Sequence, residues 1–243
     1  MNARFTARFN FYNVPSIAMK ATRSYEIVGT ISTARGLRSL AKKHPHADWI
    51  EVRVDALLEQ YVLPSKILVA LQSRKNKVLL TLRSPLEGGQ HDWTPGVRKA
   101  LALELLPVCD AIDLEIASLT ELKLVYQAAG HLKKKVVLSS HSIQKPVPLP
   151  QLHRLVRQMR CYPVWISKLA VRLESQTQLR ELVSLLISNP KQSFALMGLG
   201  PMAPLSRRVL TALGSKLVYG YLDQPAAPGQ PSVKTIAAWD DQP

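Results

Sequence analysis

The stretch Val164-Trp-Ile-Ser-Lys-Leu-Ala-Val171 is apolar, of strand length, and bounded by Pro163 on one side and the polar run after Arg172 on the other. It predicts a buried strand with a lysine near its middle. Lysine is almost never fully buried without a reason. Two readings of Lys168 follow. Either it sits at the strand's exposed end or pairs with an acid, or it stands among apolar walls. There an ammonium sheds its proton readily, and the free amine attacks a carbonyl to form a Schiff base.

Outward from this stretch the pattern repeats. Apolar runs of strand length lie at Glu26–Ile31, Trp49–Val54, Val78–Leu82, Ala111–Ile116, Val136–Ser140, Val164–Val171, Phe194–Met197 and Leu217–Tyr221. Helical spacing occupies Ala34–Lys43, Pro64–Arg74, Thr94–Leu106, Leu119–Ala129, Leu149–Arg160, Thr177–Ser188, Leu205–Leu213 and Val233–Trp239. Strand and helix alternate eight times in 243 residues. That order and length predict one parallel (β/α)8 barrel, the TIM-barrel class, over residues 25–243. Residues 1–24 carry Arg4, Arg8, Lys20 and Arg23 with no acid and no clear period, and read as a basic extension.

Lys and Arg together number 32 against 17 acids, a formal charge of +15, which directs attention to anionic partners. From Leu122 to Leu173 there is no acid at all, while ten basic residues, Lys168 among them, lie inside. A nucleic-acid surface interleaves aromatics with its cations, and this stretch offers only Tyr126, Tyr162 and Trp165. A small anionic substrate drawn by a positive field fits at least as well as a nucleic acid. The same positive charge is expected to favour a neutral Lys168; Lys133, Lys134 and Lys135 either help to steer the anion in or, the reading favoured for each alone, form a solvated helix-to-strand turn. Two cysteines, Cys109 and Cys161, form neither a disulfide framework nor a metal spacing, which suits a reducing cytoplasm. No apolar run reaches membrane-span length, so no membrane partner is expected.

A barrel puts its active site at the C-terminal ends of its strands, and residues two apart on a strand share a face. Read that way, the second strand presents Glu51, Arg53 and Asp55; the third, Thr81 and Arg83, with Glu87 in the loop after it. The fourth presents Asp113 and Glu115, the fifth Ser139 and His141, and the sixth Ile166 and Lys168. A barrel built for stability alone would fill these layers with Val, Ile and Leu. Ionisable residues converging from five consecutive strands are the mark of a site.

In this order the residues resemble the type I 3-dehydroquinate dehydratases. The resemblance spans Tyr25 to the C-terminus. It is carried by Glu51-Val-Arg53-Val-Asp55, Thr81-Leu-Arg83 with Glu87-Gly88-Gly89, Asp113-Leu-Glu115, Ser139-Ser-His141, Lys168-Leu-Ala170, Ser206-Arg207, Gly214-Ser215 and Ala227-Pro228-Gly229-Gln230. It implies a lyase of the shikimate pathway, acting as a cytoplasmic homodimer, that dehydrates 3-dehydroquinate to 3-dehydroshikimate without metal, cofactor or nucleic-acid partner. Lys168 would form the imine, His141 would act as base and then acid, and Glu87 would orient the histidine. Glu51, Arg53 and Arg83 would bind ring hydroxyls and position the ketone. Arg207 would hold the substrate carboxylate, Met197 would line the pocket, and Gln230 would close over the substrate from the last loop. Ile143 replaces a usual Phe, Lys145-Pro146 a usual Thr-Pro, and Ala226 a lid serine; the 197–207 loop is also longer. These departures bear on rate and affinity. A class I aldolase shares the sixth-strand lysine but not the remaining motifs, and a basic nucleic-acid-binding protein on an old scaffold is the non-enzyme alternative. His44 and His46 read as surface residues, and His91 as a loop residue just beyond the Glu-Gly-Gly turn, with a place at the site the lesser alternative.

Overall fold

The computed structural model describes residues 23–226 and 229–239. Most of the basic extension read over residues 1–24, and Ala227 and Pro228 of the last loop, lie outside the described residues. Eight parallel strands form one sheet: β1 (Glu26–Ile31), β2 (Trp49–Arg53), β3 (Lys77–Thr81), β4 (Ala111–Glu115), β5 (Lys135–Ser142), β6 (Ile166–Arg172), β7 (Phe194–Leu199) and β8 (Leu217–Tyr221). Their order is β7-β6-β5-β4-β3-β2-β1-β8, a (β/α)8 barrel.

The helices are α1 (Ala34–Arg38), α2 (Val54–Glu59), α3 (Pro64–Gln72), α4 (Pro95–Leu105), α5 (Lys123–His131), α6 (Leu149–Met159), α7 (Gln176–Ile187), α8 (Ala203–Ala212) and α9 (Val233–Ala237). Their starts follow local chemistry. Proline, whose missing N–H is no loss in a first turn, opens α3 and α4. Ser175 and Gln178 cap α7 reciprocally, and Thr33 and Ser232 accept a first-turn N–H of α1 and α9.

Most element boundaries shift by a few residues from the sequence reading, and two of the shifts have a visible cause. Strand β2 stops at Arg53, and Asp55 lies in the first turn of α2, where it pairs with Arg53 instead of continuing the alternation. Strand β6 starts at Ile166, because Trp165 packs its indole against Trp49 at the foot of the barrel, with ring centroids 4.8 Å apart.

Alternation along the strands divides the buried residues in two. Outward residues such as Ile50, Val52, Ile112, Leu114, Leu169 and Val171 pack against the helices in the larger core. Inward residues near the strand starts, among them Val28, Trp49, Leu79, Ala111, Val137, Ile166 and Ala195, plug the lower barrel. Above this plug the inward positions turn polar: Glu51, Thr81, Asp113, Ser139 and Lys168 are all buried.

The ring is closed differently at one place. Among the described residues no ladder joins β7 to β8. The Lys216 amide donates to Phe194 O at 2.6 Å, and side chains serve most of the rest of the edge. Leu196 N donates to Ser215 Oγ at 3.0 Å, and Gly198 N donates to Ser206 Oγ at 3.0 Å. Buried backbone donors must find acceptors, so these serines take over the work of a missing strand neighbour. They belong to the Ser206-Arg207 and Gly214-Ser215 motifs.

Candidate active site

A cavity of about 160 Å³ opens at the C-terminal mouth of the barrel. Of the residues singled out in the sequence, Glu51, Arg53, Arg83, Glu87, His141, Lys168, Met197, Arg207 and Gln230 all line it. The strand ends bring them together from β2 through β8 and the loops that follow.

Asp113 is the hub of one side. Its Oδ2 lies 3.0 Å from both Lys168 Nζ and Arg83 Nη2, and its Oδ1 accepts from Ser139 Oγ at 2.5 Å. Burial opposes the Asp113 charge, yet Arg83 and then Lys168 hold its carboxyl well below the usual range. Arg83 also donates to Ser139 Oγ at 2.9 Å and meets Glu115 at 3.3 Å. Burial works against that guanidinium as well, but Asp113, Glu115, Glu51 and Glu87 more than offset it and keep it firmly charged. Glu115 is held in turn by Ser84 N, Arg98 and Ser118. Glu51 accepts from Thr30 at 2.9 Å and Thr81 at 3.0 Å and stands 3.6 Å from Lys168 Nζ. Arg53 grips Asp55 through two hydrogen bonds and reaches Gly88 O at 3.2 Å.

Lys168, only 3% exposed, therefore pairs with acids. The positive charge expected around it from the run Leu122–Leu173 is answered by these carboxylates. The acid-free run holds along the chain only; β2 and β4 supply the carboxylates across the barrel. Lys133, Lys134 and Lys135 lie at or before the start of β5, at the opposite end from the mouth, so they are poorly placed for steering.

Across the mouth stands the second feature. Glu87, in the turn after β3, accepts at Oε2 from the His141 amide at 3.0 Å and contacts His141 Nδ1 at 2.8 Å. With the backbone amide and Nδ1 converging on one oxygen, the Nδ1–H tautomer is favoured and Nε2 carries the lone pair. Burial first, then Arg83 and Lys168, push the imidazole well below its ordinary range, so it is neutral at pH 7. Burial and then Glu115 push the Glu87 carboxyl up to about 8, against the pull of Arg83. Gly88, with φ of 88°, makes the turn that presents Glu87, a conformation suited to glycine.

The third feature is Arg207 on α8. It is buried with no carboxylate against it among the described residues: its Nη1 lies 3.7 Å from Met197 Sδ and 3.4 Å from Tyr219 O, and its Nε has no partner there. Burial alone lowers it to about 10, still charged at neutral pH. Such a cation is suited to an incoming anion. Gln230 Oε1 accepts from Ala226 N at 2.7 Å, leaving its amide N–H groups for the cavity.

Thr30, Leu199 and Tyr219 also line the cavity and were not singled out from the sequence. The β1 and β8 runs read as apolar; applying the same alternation to them would have exposed Thr30 and Tyr219. His91 does not line the cavity, and contacts Glu59 and Trp93 instead. Among the described residues no group of three or more His, Cys, Asp or Glu side chains forms a metal-binding cluster.

The profile of the type I 3-dehydroquinase family matches residues 28–239. The chain belongs to the type I 3-dehydroquinases. The 3-dehydroquinate dehydratase of Aquifex aeolicus (strain VF5) is 30% identical over 77% of this chain and 84% of its own. That of Methanosarcina mazei is 30% identical over 78% of this chain and 83% of its own. The crystal structure of the 3-dehydroquinate dehydratase from Aquifex aeolicus VF5 superposes with a TM-score of 0.71 at 27% identity, covering 87% and 95% of the two chains. A type I 3-dehydroquinate dehydratase from Clostridium difficile superposes with a TM-score of 0.78 at 21% identity over 89% and 91%, a likeness of fold. As a type I 3-dehydroquinase the chain is a hydro-lyase of the shikimate pathway, which separates it from the class I aldolases sharing a sixth-strand lysine.

Proposed function

We propose that this type I 3-dehydroquinase dehydrates 3-dehydroquinate to 3-dehydroshikimate through a Schiff base on Lys168. The observation that carries this reading is the gathering, in one small cavity, of a buried primary amine, a neutral histidine oriented by Glu87, and an uncompensated buried arginine.

Arg207 receives the substrate carboxylate, with Met197 beside it and Gln230 closing from the last loop. Lys168 Nζ, relieved of a proton, adds to the ketone carbon; ketone and ammonium together yield a protonated imine and one water. His141 Nε2 then removes a proton from the carbon next to the imine, and the electron pair runs into the imine nitrogen to give an enamine. The pair returns to expel the hydroxyl one carbon further on, and the imidazolium supplies the proton that makes it water. Hydrolysis of the remaining imine frees Lys168 and the product, so the sum is substrate giving product and one water. Glu51, Arg53 and Arg83 face the ring hydroxyls and the ketone, and Lys168 requires no added cofactor for this chemistry.

No helix among the described residues is long and apolar enough to cross a membrane. A cytoplasmic homodimer belongs to this proposal, and light scattering on the purified chain tests its oligomeric part. The direct test of the chemistry is borohydride reduction with 3-dehydroquinate, followed by intact mass and peptide mapping. A substrate-sized adduct on Lys168, absent in Lys168→Met along with turnover, is the expected result. Turnover without any trappable adduct in the native chain would overturn the imine.

A further inference from the structure

The floor of the cavity holds a group that the proposed chemistry has not used. Tyr219, on β8, is 3% exposed, and its ring face lies 4.1 Å from Lys168 Nζ. Its hydroxyl has no hydrogen-bond partner among the described residues. It belongs to the apolar cluster inside the barrel that also holds Val28, Leu79, Ala111, Val137, Ala195 and Leu217. A phenylalanine would fill the same place without burying an unbonded hydroxyl, which is unfavourable.

The carboxylates whose field reaches Tyr219 do not answer it. Glu51 is engaged through Oε2 by Thr30 and through Oε1 by Thr81, and Asp113 is engaged by Ser139, Arg83 and Lys168. Burial, then Glu51 and Asp113, keep the phenol protonated far above its ordinary range, so it is a fixed donor. The ring lies against the nucleophilic nitrogen, and an unbonded O–H at the edge of that ring calls for an oxygen on the carbon which the nitrogen attacks.

We propose that Tyr219 is a catalytic residue whose O–H donates a hydrogen bond to the ketone oxygen while Lys168 adds to the carbonyl, and stays on that oxygen until it departs as water. This rests on the Schiff-base reading above. The phenol keeps its proton throughout; the ketone and the Lys168 ammonium still give one protonated imine and one water, and Tyr219 stabilises charge on the oxygen between those states.

The test is Tyr219→Phe, which keeps the ring under Lys168 and removes only the donor. Rapid-quench borohydride trapping with 3-dehydroquinate reads imine formation, steady-state assays read turnover, and thermal melting of the free protein reads stability. Imine formation and kcat/KM are expected to fall together, on the order of tenfold to a hundredfold, while the melting temperature stays level or rises. A structural hydroxyl would move both readouts downward. Trapping at the native rate, or slowed trapping with a lowered melting temperature, overturns the role. Absence of any adduct in the native chain overturns the imine reading itself and this inference with it, an outcome distinct from failure of Tyr219 alone.

Discussion

The mouth of the barrel has two sides that treat buried charge in opposite ways. On the β2–β5 side, Arg83 meets Asp113, Glu115 and Ser139, and each of those is bonded again. On the β7–β8 side, among the described residues, Arg207 has no carboxylate and both its Nε and the Tyr219 hydroxyl are without partners. The saturated side is a framework: its charges hold one another in place and have little left for a ligand. The unsaturated side is a template whose missing partner is the substrate. Lys168, on β6, stands between them with its amine tied to Asp113 and its neighbour Tyr219 free.

The contrast is broken most forcefully at the saturated arginine. Arg83→Met leaves Asp113, Glu115 and Glu87 buried with their shared cation gone, and is expected to destabilise the fold by about 3–5 kcal/mol, read by urea denaturation. Arg207→Met removes a charge that burial disfavours and no acid supports. Its unfolding midpoint is expected to stay within about 1 kcal/mol of the native value or to rise, while KM for 3-dehydroquinate climbs roughly a hundredfold. Equal destabilisation by both changes would erase the distinction between the two sides.

A pH profile sharpens it. His141 is pushed down by burial and by Arg83 and Lys168. A lowered value means that the neutral base survives as pH falls past 6.5, the ordinary value for histidine. Accordingly log kcat/KM should hold flat through that point and bend only at lower pH; an acid limb at or above 6.5 would show that the cations of the saturated side do not reach the base. The smallest effect is expected from Lys133→Glu with Lys135→Glu. These side chains lie at the foot, about 20 Å of strand from His141, against a screening length of about 8 Å at physiological salt. Less than a twofold change in kcat/KM in stopped-flow or steady-state assays is the expected outcome, and a larger loss would mean that the field of the foot reaches the mouth.

What the sequence disclosed and what it hid divide along the same line. Period-two alternation is a local property, so it delivered the eight strands and the inward set Glu51, Arg83, Asp113, His141 and Lys168 without knowledge of the fold's closure. Pairing across the barrel is not local. The run without acids around Lys168 suggested a basic pocket, whereas its partners Asp113 and Glu51 come from strands far away in the chain. Nor could spacing tell that Arg83 is satisfied and Arg207 is not, because that depends on which side chains share the interior. Asp55 was misassigned to a strand because the alternating letters continue through the turn where β2 becomes α2. Tyr219 was passed over because an aromatic in an apolar run reads as packing, and only a count of its hydroxyl's partners distinguishes it.

The closure between β7 and β8 carries a consequence for how substrate and scaffold communicate. Ser206, which accepts the Gly198 amide, precedes Arg207 in the same turn of α8, and Ser215, which accepts the Leu196 amide, begins the approach to β8. An anion seated on Arg207 is thus held by the segment that clasps the ring shut. The Leu196 and Gly198 amides become reporters: occupancy of the mouth should slow their exchange with deuterium more than that of amides in the continuous ladders, turning this serine-laced edge of the barrel into a gauge of whether the site is filled.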